Sequence, residues 1–467
     1  MWTILLAVAW AADPEPWPFS ETEARGLLQV EPEPVVERPA FLLRNATVMT
    51  AAGTVFAPGY VWVVDGKIRE VGAGAGPDAD ATQVIDAAGG FVTPGLIDTH
   101  SHLGVYPSPD LRAHADGNEA TAPTTPGVWV EHSNWPQDPG FRRALAGGVT
   151  AMQLLPGSAN LIGGRGVVIE NVPTRGSRAM RFPGAPETVK MACGENPKRV
   201  YGDKGGPSTR MGNLRGQREA FLAAEHYLAK WQAYARDRAA HAERVSRADK
   251  RDPAGDPPMP PDRDLDLETL AGVLAGRFLP QVHCYRADDM LSFLQLAEEF
   301  GFSVRSFHHA LEAYKIRDVL TAHEVSVSTW ADWWGFKIEA YDGIQENLAL
   351  VEAAGGRAVV HSDSPIGIQR LNQEASKALA AGRAMGLEIS DDRALRWLTA
   401  NPAWTLGIDG LTGTIEVGKR GDLVVWDHHP FSVRASPRWV FVDGALRFDA
   451  DRPDPGSDYL LGQEVGP

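Results

Sequence analysis

From Phe41 onward apolar and polar residues alternate with the period of a half-buried strand. FLLRNATVMT is followed by YVWVVDGKIREVG, and the Asp65-Gly66 pair between two apolar runs signals a type I′ hairpin. TQVIDAAG adds a short strand before FVTPGLID. The same texture returns near the other end, in TIEVGKRGDLVVW and RWVFVDGALRF, where Asp443-Gly444 marks a second hairpin. Each β-rich piece is too small for a core of its own. The pattern therefore predicts one small β-sandwich domain built from both chain ends, residues 41–90 with 408–450.

The rhythm between these pieces is different. FRRALAGG reads as a helix end, and GVTAMQLLPG as the strand after it. VVIENV and ETVKMACG are further strands. FLPQVHCY, FSVRSFHH, VSVSTW and RAVVHSDSP are each followed by a helical stretch. With FVTPGLID as the first, eight strands can be named. Repeated strand–helix units imply a parallel sheet with both faces covered. Eight of them over residues 91–407 predict an α/β fold, a (β/α)8 TIM barrel. An open doubly wound sheet fits less well, because no Gly-rich phosphate loop follows the first strand. A charged helix from Arg215 to Lys250 and a Pro- and Asp-rich loop from Arg251 to Asp266 interrupt the rhythm. They read as a helical insertion around residues 213–270, between the fourth and fifth units.

Composition narrows the function classes. The chain has 467 residues, 43% of them apolar, which suits one large barrel plus a smaller domain. A net charge of −15 argues against nucleic acid as a partner. No stretch approaches the ~18 apolar residues of a membrane span. The two cysteines, Cys193 and Cys284, imply no disulfide framework and read as small core residues. MWTILLAVAWAA reads as a signal peptide, which favours a periplasmic or exported protein over a cytoplasmic one. The alternative is a plain apolar tail, since the basic n-region is missing. An extended leader to residue 40 follows, and residues 451–467 form a C-terminal tail.

The chemistry concentrates at strand ends. Residues i and i+2 of a strand share a face, so His100 and His102 in VTPGLIDTHSHLG present two imidazoles together. His283, His308, His309 and Asp363 each close a different later strand. In a barrel that end is the active-site face. Imidazoles and carboxylates converging there suit a divalent metal.

This ordered set resembles the metal-dependent amidohydrolase superfamily, and most closely its imidazolonepropionase-like and cyclic-amide-hydrolysing branches. PGLIDTHSH, the strand-terminal histidines, SDSP and the ANPAWTLGI helix before GTIEVGKRGDLVVWD carry the likeness, over about Phe41 to Phe448. The resemblance implies His100, His102, His283, His309 and Asp363 as metal ligands, with His308 as a neighbour of His309. It also implies a fourth-strand ligand. Lys190, carrying a carboxylate derived from CO2, is one candidate and Glu195 the rival. Periodicity does not choose between them, and if neither serves the site is mononuclear. One or two divalent ions are expected, zinc first, with manganese, iron or nickel as alternatives.

A bound divalent metal lowers the pKa of water from ~16 toward ~7. Asp363 is then the expected general acid/base, and His309 or His361 a stabiliser of the developing oxyanion. Arg286 and Arg165 are candidates for substrate contact, and Arg199 and Arg210 flank a nearby loop. The tryptophans of STWADWWGF either wall the pocket or pack in the core. The expected activity is hydrolysis of a carbon–nitrogen bond in a small molecule: a cyclic amide, an imidazolone-like ring or a dipeptide-like amide. A deaminase of an amidine-type substrate is the alternative, and a catalytically silent binding scaffold a third. A homo-oligomer is compatible with all three.

Overall fold

The computed structural model describes residues 38–78, 83–107, 111–172, 174–248 and 255–452. The expected signal peptide, nearly all of the leader and the tail from Pro453 lie outside the described residues.

The small domain begins with strands β1 (Phe41–Met49), β2 (Val55–Val64), β3 (Lys67–Ala73), β4 (Gln83–Asp86) and β5 (Phe91–Pro94). The barrel follows: β6 (Leu96–Ser101), β7 (Val149–Leu154), β8 (Ile162–Glu170), β9 (Thr188–Ala192), β10 (Leu279–Cys284), β11 (Ser306–His309), β12 (Ser326–Thr329) and β13 (Arg357–Val360). The chain then returns to the small domain through β14 (Leu423–Trp426), β15 (Pro437–Val442) and β16 (Ala445–Asp449).

Both ends share one sheet, in the order β16-β15-β14-β5-β1-β2-β3, with β4 beside β1. The halves meet where β14 pairs antiparallel with β5, from Leu423 opposite Pro94 to Trp426 opposite Phe91. The small sheet thus extends to Pro94, and β6 starts two residues later. Gly95 makes the join: a Cβ there would lie 2.0 Å from Thr150 Oγ1. The domain has a core of its own, in which Phe41, Leu43, Val61 and Val63 from the N-terminal half pack with Leu423, Val425 and Phe441 from the C-terminal half. Both expected hairpins form. Asp65 and Gly66 have φ of 50° and 75°, and Asp443 and Gly444 have 51° and 74°, the signature of type I′ turns. The two turn tips touch: a Cβ on Gly444 would lie 2.5 Å from Gly66 Cα.

The second sheet runs β13-β12-β11-β10-β9-β8-β7-β6 and curls into a nearly closed barrel. No ladder joins β13 to β6 among the described residues. That seam is held instead by Asp363 N donating to His100 O at 3.0 Å and Ser362 N donating to Asp98 Oδ1 at 3.0 Å. One expectation fails here: the sheet is not wholly parallel. β8 runs antiparallel to both β7 and β9. Only residues 155–161 join β7 to β8, and a parallel crossover needs a dozen residues or more. A strand returning over so short a link must reverse.

The insertion between β9 and β10 contains a helix Arg210–Arg247 and a helix Leu265–Leu274. In the longer one Asn213, Gln217, Phe221, Ala224, Tyr227 and Trp231 are buried, a stripe at three- and four-residue spacing. Its later turns lie on the surface.

The second correction concerns the cysteines. Cys193 and Cys284 form a disulfide, with Cα atoms 5.3 Å apart. The strand register explains it, because Ala192 faces His283 across β9 and β10 and the next residue on each strand is a cysteine. Their separation of 91 residues gave no hint of it. Replacing both by Ser is expected to lower stability by about 2–4 kcal/mol. Denaturant melts with and without a reductant measure this, and identical midpoints for wild type and double variant would show that the bond is not formed.

Candidate metal centre

The site is assembled at the C-terminal end of the barrel strands. Asp98 and His100 alternate along β6 and so share a face, and His102 follows at the strand's end. His100 Nε2 lies 3.2 Å from His102 Nε2 and 3.6 Å from Asp363 Oδ1. His102 Nε2 is 3.2 Å from the same carboxylate oxygen, and His309 Nδ1 is 3.8 Å from Asp363 Oδ2. The His283 and His309 rings are 4.4 Å apart between centroids. Two compact donor sets result, His100–His102–Asp363 and His100–His309–His361, each with ligand atoms within 4.8 Å of one another.

Lys190, on β9, is fully buried. Its Nζ lies 3.4 Å from His100 Nε2 and donates to Pro156 O at 3.0 Å. Glu195 opens the helix Glu195–Tyr201, and its carboxylate lies 3.8 Å from Lys337 Nζ. Of the two rivals, the geometry brings Lys190 against the imidazoles.

The electrostatics suit a cation. Burial, reinforced by neighbouring positive groups, holds His100, His283, His308 and His309 well below the ordinary imidazole range, and burial takes His361 to about 3. These rings are therefore neutral, which is the form that binds metal. Burial also pushes the Lys190 amine down to about 7, so a neutral amine is available near neutral pH. Burial works to raise the Asp363 carboxyl, but the hydrogen bond from His102 and nearby positive groups outweigh it, and it stays below its usual value. Nδ1 of His283, His309 and His361 is buried without a hydrogen-bond partner. Orphaned buried nitrogens are costly unless something electrophilic satisfies them. The donor set therefore fits a divalent metal.

Supporting residues fix this arrangement. His308 lies 3.0 Å from His100 through their Nδ1 atoms, and its Nε2 lies 2.7 Å from Gln281 Oε1. It thus stands behind His100, orienting the ring as outer partners of ligand histidines do. Asp98 accepts from the backbone N–H of both His100 and Ser362 at 3.0 Å, tying β6 to the Asp363 turn. Burial pushes Asp98 up to about 7, against these hydrogen bonds. His309 and Asp363 hold left-handed backbone, at φ 71° and 48°. Non-glycine residues there store strain, and such strain gathers at functional sites.

Sequence reasoning missed Asp98, Gln281 and Tyr285. Asp98 and Gln281 precede His100 and His283 by two positions, so strand alternation carries a signal for both. Tyr285 stacks on His309 at 4.9 Å, and burial, then Asp363 and nearby glutamates, raises its phenol well above the ordinary value. Trp330 packs against His309 and His361 at 4.9 and 4.7 Å, so the first tryptophan of its cluster belongs to the wall of the site.

The two arginines expected at substrate are both paired. Arg165 donates to Glu187 and Thr269 at 2.9 Å and lies between the rings of Trp129 and Phe278. Arg286 pairs with Asp288 at 3.0 Å. Arg210 pairs with Asp289 at 3.1 Å and also contacts Asp288. A cavity of about 150 Å³ reaches the site between His102, Tyr106 and Asp363.

A barrel with imidazoles and a carboxylate gathered at one end of its strands defines a metal-dependent hydrolase class, and comparison with known proteins specifies it. Residues 307–448 match the Amidohydrolase family. An amidohydrolase of Thermotoga maritima MSB8 superposes with a TM-score of 0.77 at 34% identity, over 88% of this chain and 100% of that one. Amidohydrolase tasK of Hapsidospora irregularis is 34% identical over 78% of this chain, although the chain spans only 37% of that relative's length. The 5-methylthioadenosine/S-adenosylhomocysteine deaminase of Desulforudis audaxviator is 26% identical over 82% of this chain and 84% of its own. The chain belongs to the amidohydrolase family. Among the described residues no helix is long and apolar enough to cross a membrane.

Proposed function

We propose that this enzyme hydrolyses a non-peptide or dipeptide-like amide, with cyclic amides the first class to test. His100, His102, His283, His309 and Asp363 would hold one or two divalent ions, zinc first, with Lys190 as a carboxylated bridge. The observation that carries this reading is the placement of the Asp363 carboxylate, with one oxygen against His102 and the other toward His309. When bound, the metal polarises the substrate carbonyl and brings the pKa of water from ~16 toward ~7.

The chain's residues do the rest. Asp363, kept ionised, accepts the proton of the attacking water and returns it to the departing nitrogen. Tyr285, kept protonated by burial, offers its hydroxyl to the developing oxyanion, and His361 is a second candidate donor. The Trp330 and Tyr285 rings keep bulk water from this side of the imidazoles.

Deamination is the second reading, supported by the similarity to the deaminase of Desulforudis audaxviator. The two are separated by supplying the purified protein with zinc, manganese or nickel and a panel of hydantoins, N-acyl amino acids, dipeptides and aminopurines. Ring opening or amide cleavage without ammonia is the expected result. Ammonia from the aminopurines alone would replace it with the deaminase reading.

A further inference from the structure

The loop after β12 carries an aromatic surface that this chemistry leaves unused. Trp330 and Tyr285 are buried against the site imidazoles. Phe336 extends outward from both, 6.2 Å from the Tyr285 ring and 6.4 Å from Trp330, yet it is 57% exposed. Trp334, Ile338 and Tyr341 in the same stretch are each at least as exposed. A lone exposed apolar residue needs no explanation, but a run of them beside a site marks a contact surface.

The neighbouring residue anchors the loop to the site's rim. Lys337 Nζ lies 3.2 Å from Glu339 Oε2, 3.4 Å from Asn196 Oδ1 and 3.9 Å from the centre of the Tyr285 ring. Asn196 in turn lies 3.4 Å from His283 Nε2. The loop is thus pinned at the rim while the Phe336 ring stays uncovered. Lys337 faces two carboxylates, those of Glu339 and Glu195, and Arg165 and Arg286 are also paired. These three cations and their partners leave no surplus positive charge for an anionic group.

We propose that Phe336, backed by Tyr285 and Trp330, receives an aromatic or bulky aliphatic substituent of the substrate and sets the enzyme's preference for such amides. The occupant is the substrate's own apolar group, because the surface is continuous with the imidazoles through two buried rings. This rests on the amide-hydrolase reading above.

The test compares 5-benzylhydantoin with 5-methylhydantoin on the metal-loaded enzyme. Turnover is measured alongside equilibrium binding, read by quenching of tryptophan fluorescence. Phe336→Ala is expected to weaken the benzyl compound roughly 10-fold or more, in KM and in Kd, while changing the methyl compound by no more than about 2-fold. Phe336→Tyr should restore the preference, and Trp334→Ala should leave it unchanged. Equal effects on both compounds, no effect, or the same loss with Trp334→Ala would overturn the proposal, as would binding of neither compound. Phe336-dependent binding of the benzyl compound without turnover would uphold it and sink the hydrolase reading for this ring class.

Discussion

Asp363→Asn is expected to cut turnover by about 10²–10⁴-fold while removing only part of the bound metal. The amide keeps the size of the carboxylate and one oxygen able to act as a ligand, but it cannot carry the proton from water to the leaving nitrogen. The carboxylate is placed for that task. It sits among imidazoles, and it stays ionised because the His102 hydrogen bond and nearby positive groups together outweigh burial. Its left-handed backbone, at φ 48°, is tolerated by Asn about as well as by Asp, so the variant should fold. Metal analysis beside steady-state kinetics separates the two effects. Near-normal turnover would remove the acid/base role. Loss of all metal along with activity would make Asp363 chiefly a ligand.

Lys190→Ala has the second largest expected effect. If a carboxylated Lys190 bridges two ions, its loss should lower the metal count per chain and reduce turnover by about 10²-fold or more, in line with losing a site that acts as a unit. The structure favours the modification on two grounds. The amine is buried against His100, and burial brings it to about 7, where the neutral form that reacts with CO2 is well populated. Mass analysis under native conditions should find one extra carboxyl group on the wild-type chain. An unchanged metal count in the variant would pass the bridging role to Glu195 or leave a single ion.

Much of this site was legible because strands impose a period of two and barrels place their chemistry at one end. His100, His102, His283, Asp363 and the His308–His309 pair could be gathered on that basis. The family resemblance alone chose His309 within the pair, and the structure brings these side chains together. The small domain was legible for a related reason, since Asp65-Gly66 and Asp443-Gly444 specify turns almost by themselves. What failed depended on pairing across the chain. VVIENV reads the same in either direction, so its reversal shows only in the short link before it. Cys193 and Cys284 become neighbours only once β9 and β10 are in register. The Arg165 partner, Glu187, lies 22 residues along the chain, which no local pattern reports, whereas Asp288 lies only two residues from Arg286 and was within reach of a local reading.

The seam between β5 and β14 sets a timetable for synthesis. Pro94 and its partner Leu423 lie about 330 residues apart, so at 5–20 residues per second the ribosome needs roughly 16–66 s to supply the second after the first. Throughout that interval the N-terminal strands have a bare edge at β5 and only half of their core. An unpaired edge is a template for other chains. The nascent protein therefore has a period of exposure that the finished one does not, and this predicts that crowded ribosomes or slow translation will cost yield well before they cost activity per folded molecule.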